Sequence, residues 1–264
     1  VSVSTRDGGD RWRGRMAYET DRPMSGRSDL GLDRVVFQAD GPIAGRITAV
    51  IGPNGAGKSS LFNLISGAIR PTAGSVRFDG REVTGQAPHQ LLANGLSRSF
   101  QITNLFFDLT VRENLRLAAQ FLEHGRGLFR PLVRSTIASH RVDELLGQFE
   151  LRSKADELAG YLSHGEQRRL EIAVSLASRP RMLLLDEPTQ GMSHTDTRET
   201  ESLIRGLSHD HGLSILLVEH DVDLVMQLSD HVVVMHQGQK LAEGTPAEVR
   251  ANPAVQAAYF GEKH

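Results

Sequence analysis

Short apolar runs alternate along the chain with segments in which apolar residues recur at helical spacing. Such runs predict strands at 34–39, 46–51, 76–78, 181–185 and 213–218, and a hairpin over 230–242. After the second run, apolar residues recur at three- and four-residue intervals until Gly67, which predicts a helix that ends there. Strands that alternate with helices in this way predict an α/β fold with a mainly parallel sheet.

Polar residues at fixed offsets mark where further helices begin. Thr110-x-x-Glu113 and Ser163-x-x-Glu166 have the pattern of capping boxes within a mostly helical stretch, 110–177. Thr245-Pro246-x-Glu248 predicts the start of a last short helix. We interpret residues from about 103 to 175 as an α-helical subdomain inserted between strands.

The N-terminal segment follows neither pattern. Residues 1–28 are polar, rich in Gly and Arg and aperiodic, so we predict a poorly ordered extension followed by one domain over 29–264. No apolar run approaches the roughly 18 residues that a membrane span needs. The first 31 residues also lack the apolar stretch of a secretory signal.

Composition narrows the classes of function. The 264 residues include 30 Lys+Arg and 32 Asp+Glu, a net charge of −2, so no basic field favours nucleic acid as a partner. The absence of cysteine excludes disulfides, thiolate zinc sites, iron–sulfur clusters and cysteine nucleophiles.

A glycine-rich segment joins the second predicted strand to the helix that follows it. Gly52-x4-Gly57-Lys58-Ser59 has the spacing of a phosphate-binding P-loop, although a glycine-rich turn that holds Lys and Ser by chance is the plainer alternative. Glycines allow backbone N–H groups to face phosphates, and a helix N-terminus adds its positive dipole end. Lys58 would reach the β- and γ-phosphates of a nucleotide, Ser59 would bind Mg²⁺, and Ser60 would add a phosphate contact. The candidate residues are Gly52, Pro53, Asn54, Gly55, Ala56, Gly57, Lys58, Ser59 and Ser60.

Two adjacent acids follow the apolar run at 181–185. Asp186 can hold Mg²⁺, and Glu187 can orient or deprotonate a water molecule. An acid that only caps the junction of strand and loop is the alternative, but the P-loop earlier in the chain favours catalysis. In open α/β sheets, ligands bind at the carboxyl ends of the strands, and a third strand ends beside His220.

Leu162-Ser163-His164-Gly165-Glu166-Gln167 lies just upstream of the acidic strand and resembles the signature of ABC transporter ATPases. That signature reads Leu-Ser-Gly-Gly-Gln in most members, so this chain departs from it at His164 and Glu166. From about residue 30 to the end, the chain resembles the ATP-binding subunit of an ABC transporter. The resemblance implies an ATPase with a P-loop core, a mainly parallel sheet and an antiparallel β part. It also implies that Ser163, Gly165 and Glu166 complete the ATP site of the opposite subunit, although an ordinary capping box would explain Ser163 and Glu166.

The same resemblance assigns roles to residues that are uninformative by themselves. Gln101 falls in the family's Q-loop, where it contacts Mg²⁺ or the attacking water, although an isolated Gln is more often a surface residue. His220 falls where the switch histidine contacts the γ-phosphate. Glu187 is then expected to be the catalytic base, and the residues around Mg²⁺ are expected to be Ser59, Gln101 and Asp186.

Four segments resemble importers of branched-chain amino acids within this family, namely 98–106, 109–115, 165–172 and 252–262. Other subunits choose the solute, so importers of urea, short amides or other hydrophobic amino acids are the alternatives. The implied partners are membrane permease subunits, which contact 106–110, a second ATPase subunit (identical or a paralogue) and, indirectly, a periplasmic or extracellular solute-binding protein. The implied location is peripheral, at the cytoplasmic face of the inner (plasma) membrane.

Other P-loop proteins are the competing classes. A soluble P-loop kinase would transfer phosphate to a small acceptor and needs no signature segment, so Ser163–Glu166 and His220 argue against it. A GTPase would contain an Asn-Lys-x-Asp guanine reader, which the sequence lacks. ABC ATPases of DNA repair or translation have tandem domains or long coiled-coil inserts, unlike this chain.

Overall fold

The computed structural model describes residues 13–18, 35–40, 46–99, 105–123 and 136–259, the first two ranges as backbone. A six-stranded sheet lies at the centre of this part of the chain, with the strand order β10-β9-β3-β8-β7-β6. Its strands are β3 (Ile47–Ile51), β6 (Leu96–Ser99), β7 (Met182–Asp186), β8 (Ser214–Val218), β9 (His231–His236) and β10 (Gln239–Gly244). Every neighbouring pair is parallel except the hairpin β9–β10, which confirms the mainly parallel sheet.

Both faces of this sheet are buried, which explains the uninterrupted apolar runs of its strands. In β8, Ile215 and Leu217 belong to a large cluster that also contains helical residues. The alternate residues Leu216 and Val218 belong to a second cluster together with Phe62. Successive side chains of a strand point to opposite faces, so the two clusters lie on the two sides of the sheet.

A second sheet has the order β1-β2-β4-β5, with β1 (Arg13–Tyr18), β2 (Val35–Asp40), β4 (Gly74–Phe78) and β5 (Arg81–Glu82). Only β2 and β4 pair in parallel, so this sheet is the expected antiparallel β part.

β1 was not predicted from the sequence, because residues 1–28 were interpreted as a poorly ordered extension. For Arg13–Tyr18 that interpretation is wrong, since these residues pair in register with β2. Pairing with a distant strand overrides the weak local signal of a polar segment. The other residues of 1–28 lie outside the described ranges, and a domain beginning near 29 stays a prediction.

The helices of the described residues are α1 (Lys58–Ile65), α2 (Pro88–Ala93), α3 (Val111–Ala119), α4 (Thr136–Gln148), α5 (His164–Leu176), α6 (His194–His209), α7 (Val222–Leu228), α8 (Pro246–Ala251) and α9 (Pro253–Tyr259). Helices α3, α4 and α5 follow one another between β6 and β7, where the helical insert is expected, and its bounds near 103 and 175 stay a prediction. None of the helices in these ranges is long and apolar enough to cross a bilayer.

The two predicted capping boxes are present, and a third caps the helix predicted to begin after Thr245. The hydroxyls of Thr110, Ser163 and Thr245 each accept the backbone N–H three residues later, at 3.2–3.3 Å. In return, each glutamate at that position accepts the backbone N–H of the capping residue, at 2.7–2.8 Å. Local sequence therefore fixes where α3, α5 and α8 begin.

Candidate functional site

The loop from Gly52 to Gly57 leaves the carboxyl end of β3 and leads into α1. A Cβ atom at Gly52 would lie 2.4 Å from the carbonyl oxygen of Met235, so only glycine fits there. Gly55 and Gly57 have φ angles of +78° and +94°, a region that residues with a side chain rarely adopt. The glycine spacing of the sequence is therefore needed by the path of the loop.

The N-terminus of α1 is left open by its own residues. Its N-cap is Gly57, which has no side chain to accept a hydrogen bond, and its first turn contains no acidic residue. The first N–H groups of a helix have no partner within the helix and carry partial positive charge. This end of α1 can therefore bind an anion such as a phosphate.

Lys58 lies across the loop. Its Nζ donates hydrogen bonds to the carbonyl oxygens of Gly52, at 2.6 Å, and Pro53, at 3.2 Å. Burial lowers the pKa of the Lys58 amine, while the nearby carboxylates of Glu187 and Asp186 act in the opposite direction. The Lys58 amine is therefore subject both to burial and to the charges of the two acids at the end of β7.

Ser59 and Ser60 follow Lys58 in the first turn of α1, where Ser59 is exposed and Ser60 is half-buried.

Asp186 is the last residue of β7 and is almost fully buried. Its Oδ2 accepts a hydrogen bond from Nη2 of Arg98 at 2.9 Å, and Nη1 of Arg98 also donates to Asn63 and Ser66 near the end of α1. Arg98 thus ties the acid to the helix that carries the P-loop lysine. No role for Arg98 was predicted, because the residues that it contacts lie 32 to 88 positions away in the chain.

The other oxygen of Asp186, Oδ1, is buried and has no hydrogen-bond partner. An unpaired buried carboxylate oxygen is costly unless a ligand satisfies it. Mg²⁺ prefers oxygen donors and keeps several water ligands, so Asp186 Oδ1 and the exposed hydroxyl of Ser59 fit this ion.

Glu187 and His220 form a direct contact. Glu187 Oε1 lies 2.6 Å from Nε2 of His220, with the glutamate side chain 9% exposed and the histidine 46% exposed. Glu187 also has a φ of +46°, a strained conformation for a residue with a side chain. A carboxylate held in this way can accept a proton from a water molecule.

Glu219 joins the two loops that carry this pair. Its carboxylate accepts hydrogen bonds from the backbone and hydroxyl of Thr189 and from the backbone of His220. Glu219 was not among the predicted site residues, although the strand before it was predicted to end beside His220. The position of Glu219 directly after a strongly apolar strand is the feature of the sequence that could have indicated a role in the site.

Ser163, Gly165 and Glu166 lie at the start of α5. Glu166 Oε2 accepts hydrogen bonds from the backbone and hydroxyl of Ser163, and the backbone hydrogen bond is the main reason why the pKa of Glu166 is lowered. A Cβ atom at Gly165 would lie 3.0 Å from Oδ1 of Asp196 in α6. The start of α5 is therefore capped by its own residues and lies so close to α6 that a side chain at position 165 would crowd Asp196.

The predicted site residues thus fall into two groups. Lys58, Asp186, Glu187 and His220 follow or end the neighbouring strands β3, β7 and β8 and converge at their carboxyl edge. The residues at the start of α5 make the separate contacts just described. Gln101 lies outside the described residues, so its place in the site stays a prediction.

Comparison with known proteins agrees with this geometry. Residues 43–190 match the family model described as ABC transporter, and residues 239–264 match the model of branched-chain amino acid ATP-binding cassette transporters. The high-affinity branched-chain amino acid transport ATP-binding protein BraF of Pseudomonas aeruginosa is 42% identical over 230 residues, which cover 82% of this chain and 88% of BraF. The corresponding protein LivG of Escherichia coli K12 is 40% identical over 223 residues, 82% of this chain and 87% of LivG.

A solved structure has the same fold. The ADP conformation of MJ1267, an ATP-binding cassette of an ABC transporter, superposes with a TM-score of 0.71 at 30% identity. The match covers 86% of this chain and 92% of MJ1267.

Proposed function

This chain belongs to the ABC transporter family as one of its ATP-binding proteins, and we propose that it powers an importer of branched-chain amino acids. It is an ATPase, which converts ATP and water to ADP and phosphate. The observation that carries the proposed site is the convergence of Lys58, Asp186 and the Glu187–His220 pair at one edge of the sheet.

Phosphate binding is assigned to the loop from Gly52 to Gly57 and to the first turn of α1. The backbone N–H groups, Lys58, Ser59 and Ser60 hold the β- and γ-phosphates. Lys58 exchanges its hydrogen bonds to the Gly52 and Pro53 carbonyls for charged phosphate oxygens, which are stronger acceptors.

Hydrolysis is assigned to the acid and histidine at the strand ends. Glu187 orients a water molecule opposite the bond to be broken and accepts its proton as the oxygen attacks the γ-phosphate. His220 holds the Glu187 carboxylate and contacts the γ-phosphate. When bound, Mg²⁺ would neutralise phosphate charge, and Ser59, Asp186 and Gln101 would hold it, with Asp186 acting through water.

A second ATPase subunit completes each site. In this proposal Ser163, Gly165 and Glu166 face the γ-phosphate bound by the partner, which is a second copy or a paralogue. ATP then joins the two subunits, and hydrolysis separates them.

The permease partner is assigned to the surface around residues 106–110. Phe106 and Phe107 are 60% and 44% exposed, rather than being covered by the chain's own fold. Apolar side chains exposed side by side favour contact with another protein. Such a contact would place the chain peripherally, at the cytoplasmic face of the membrane.

The proposed ATP-dependent dimer is tested by the solution mass of Glu187→Gln with and without MgATP. This variant should bind ATP but hardly hydrolyse it, so we expect a shift from monomer to dimer when MgATP is added. A monomer that still binds ATP would contradict self-association and would point to a paralogue or permease as the required partner.

The solute is tested by uptake in cells that lack this chain. The names of BraF and LivG and the C-terminal family match support branched-chain amino acids. We expect loss of labelled leucine uptake and its return with the wild-type gene but not with Glu187→Gln. Loss of urea or amide uptake instead would assign one of the alternative solutes.

A further inference from the structure

Glu219 is a buried carboxylate directly after β8, between the strand and His220. It is 4% exposed. Its Oε1 accepts hydrogen bonds from the backbone N–H of Thr189, at 2.9 Å, and from the Thr189 hydroxyl, at 2.7 Å. Its Oε2 accepts the backbone N–H of His220 at 3.2 Å. One side chain therefore joins the ends of two neighbouring strands.

The turn that Glu219 holds is strained. Glu187, two residues before Thr189, has a φ of +46°. Its backbone N–H donates to the carbonyl oxygen of Val218 at 2.9 Å, so both sides of the turn are tied to the end of β8. A strained conformation persists only where surrounding contacts hold it, and here they come from Val218 and Glu219.

The geometry points to Glu219 as a positioning residue for ATP hydrolysis. We propose that its carboxylate fixes the turn of Glu187 relative to the backbone of His220, and thereby sets the 2.6 Å contact between the two side chains. The inference rests on the proposed roles of Glu187 and His220. It adds that a third, buried residue determines whether that pair is aligned.

Glu219→Gln is the sharpest test, because it keeps the size of the side chain. The amide oxygen can still accept both hydrogen bonds from Thr189, but the amide NH₂ then faces the N–H of His220, and two donors cannot bond. We expect kcat to fall roughly 10- to 100-fold, since small displacements of catalytic groups have effects of this size. KM for ATP and the affinity for ATP should change less than about threefold, because the P-loop is untouched.

Glu248→Gln is the matched control. The Glu248 carboxylate accepts hydrogen bonds from the backbone and hydroxyl of Thr245 in the same pattern, but at the start of α8. Its kcat should stay within about twofold of the wild type. An equal loss of kcat in both variants would overturn the inference, because it would show a general effect of removing a capped carboxylate.

A second pair of variants keeps the test independent of the buried charge. Thr189→Val removes only the hydroxyl donor and should lower kcat. Thr189→Ser keeps both donors and should retain most of the wild-type kcat. Unchanged kcat in Thr189→Val and Glu219→Gln would overturn the inference.

The Glu187→Gln background separates this inference from the proposed function. If Glu219 acts through Glu187, adding Glu219→Gln to Glu187→Gln should cause no further loss in single-turnover hydrolysis. A further loss as large as in the wild type would overturn the inference. Normal hydrolysis by Glu187→Gln alone would instead overturn the proposed catalytic base.

Discussion

Two helix N-termini of this molecule are proposed to contact the phosphates of ATP, yet their caps differ. At α1 the N-cap is Gly57, and neither a capping side chain nor a first-turn acid occupies the helix end. At α5 the N-cap is Ser163, and Glu166 closes a capping box. The first helix end is open to an anion, whereas the second already holds a carboxylate.

The difference between the two caps suggests that α1 serves ATP binding by one subunit, whereas α5 serves formation of the dimer. An open helix end with Lys58 beside it can bind phosphate within a single subunit. A helix end that carries its own charged glutamate attracts a further anion less, so its contact with ATP depends on the opposing subunit bringing the phosphate there. We therefore expect changes at α1 to affect ATP binding and changes at α5 to affect dimer formation and hydrolysis.

The largest effect is expected at the open end. Lys58→Ala removes the only side-chain cation in the first turn of α1, and charged hydrogen bonds to phosphate contribute several kcal/mol together. ATP affinity measured by titration calorimetry should fall on the order of 1000-fold. Lys154→Ala, which removes an exposed lysine paired with Glu157, should leave it unchanged. Unaltered affinity in Lys58→Ala would end the assignment of the P-loop.

Ser163→Arg tests the closed end. A long side chain at the start of α5 should block approach of the second subunit and lower hydrolysis about 100-fold, because it fills the space expected for the opposing phosphate. Binding of ATP to the monomer should stay within twofold, as titration calorimetry can measure. Loss of both activities would mean that Ser163 serves its own subunit or that the variant is misfolded, which circular dichroism distinguishes.

Gly57→Ala and Ser163→Ala compare the two caps by stability. At Gly57, φ is +94°, and an alanine there is strained by roughly 1–2 kcal/mol. Ser163→Ala removes a cap and should lower the free energy of unfolding by about 1 kcal/mol. Urea unfolding should therefore detect both variants, while only Gly57→Ala also weakens ATP binding by the monomer. Weaker binding in Ser163→Ala would remove the distinction between the two ends.

Glu166→Gln should have the smallest effect, and unlike the other substitutions it should favour dimer formation rather than weaken a function. Glutamine keeps the capping box but removes a negative charge, so MgATP should drive dimer formation at an ATP concentration a few times lower. Analytical ultracentrifugation in the Glu187→Gln background would measure this. A dimer that forms only at higher ATP concentration would show that the carboxylate assists assembly.

The effect of Glu166→Gln on the free energy of unfolding should depend on pH. The pKa of Glu166 lies below its usual value of 4.5, chiefly because the carboxylate accepts the Ser163 backbone N–H. A carboxylate with a lowered pKa stabilises the fold above its unfolded-state pKa, and this contribution is lost as the pH falls through the folded-state pKa. The wild type should therefore be more stable than Glu166→Gln at neutral pH, and urea unfolding should show the difference vanishing in acid.

The features that could be predicted from the sequence are those that depend on residues close together in the chain. The capping boxes at Thr110 and Ser163 depend on residues three apart, and the structure confirms both, together with the helix start predicted at Thr245. The P-loop could be predicted because its glycines are needed by the backbone itself, as the close approach of Gly52 to Met235 illustrates. The convergence of strand ends follows from the parallel arrangement of β3, β7 and β8.

Features that depend on distant partners were missed. β1 is stabilised by pairing with β2 and has little pattern of its own. The contacts of Arg98 with Asp186, and of Glu219 with Thr189, join residues that only the fold brings together. A charged residue next to a catalytic motif looks like any surface residue until its burial is known.

The position of β3 within the sheet has a consequence for synthesis of the protein. β3 carries the P-loop near the start of the chain, but its neighbours are β8 and β9, made of residues 214–218 and 231–236. The backbone N–H of Gly238 also donates to Ala56 of the P-loop at 3.0 Å. A ribosome must therefore translate nearly 200 residues beyond β3, through β8 and β9, before this strand can enter the sheet. A prematurely terminated product lacks the support of its phosphate loop, so broken messages should yield fragments without ATPase activity.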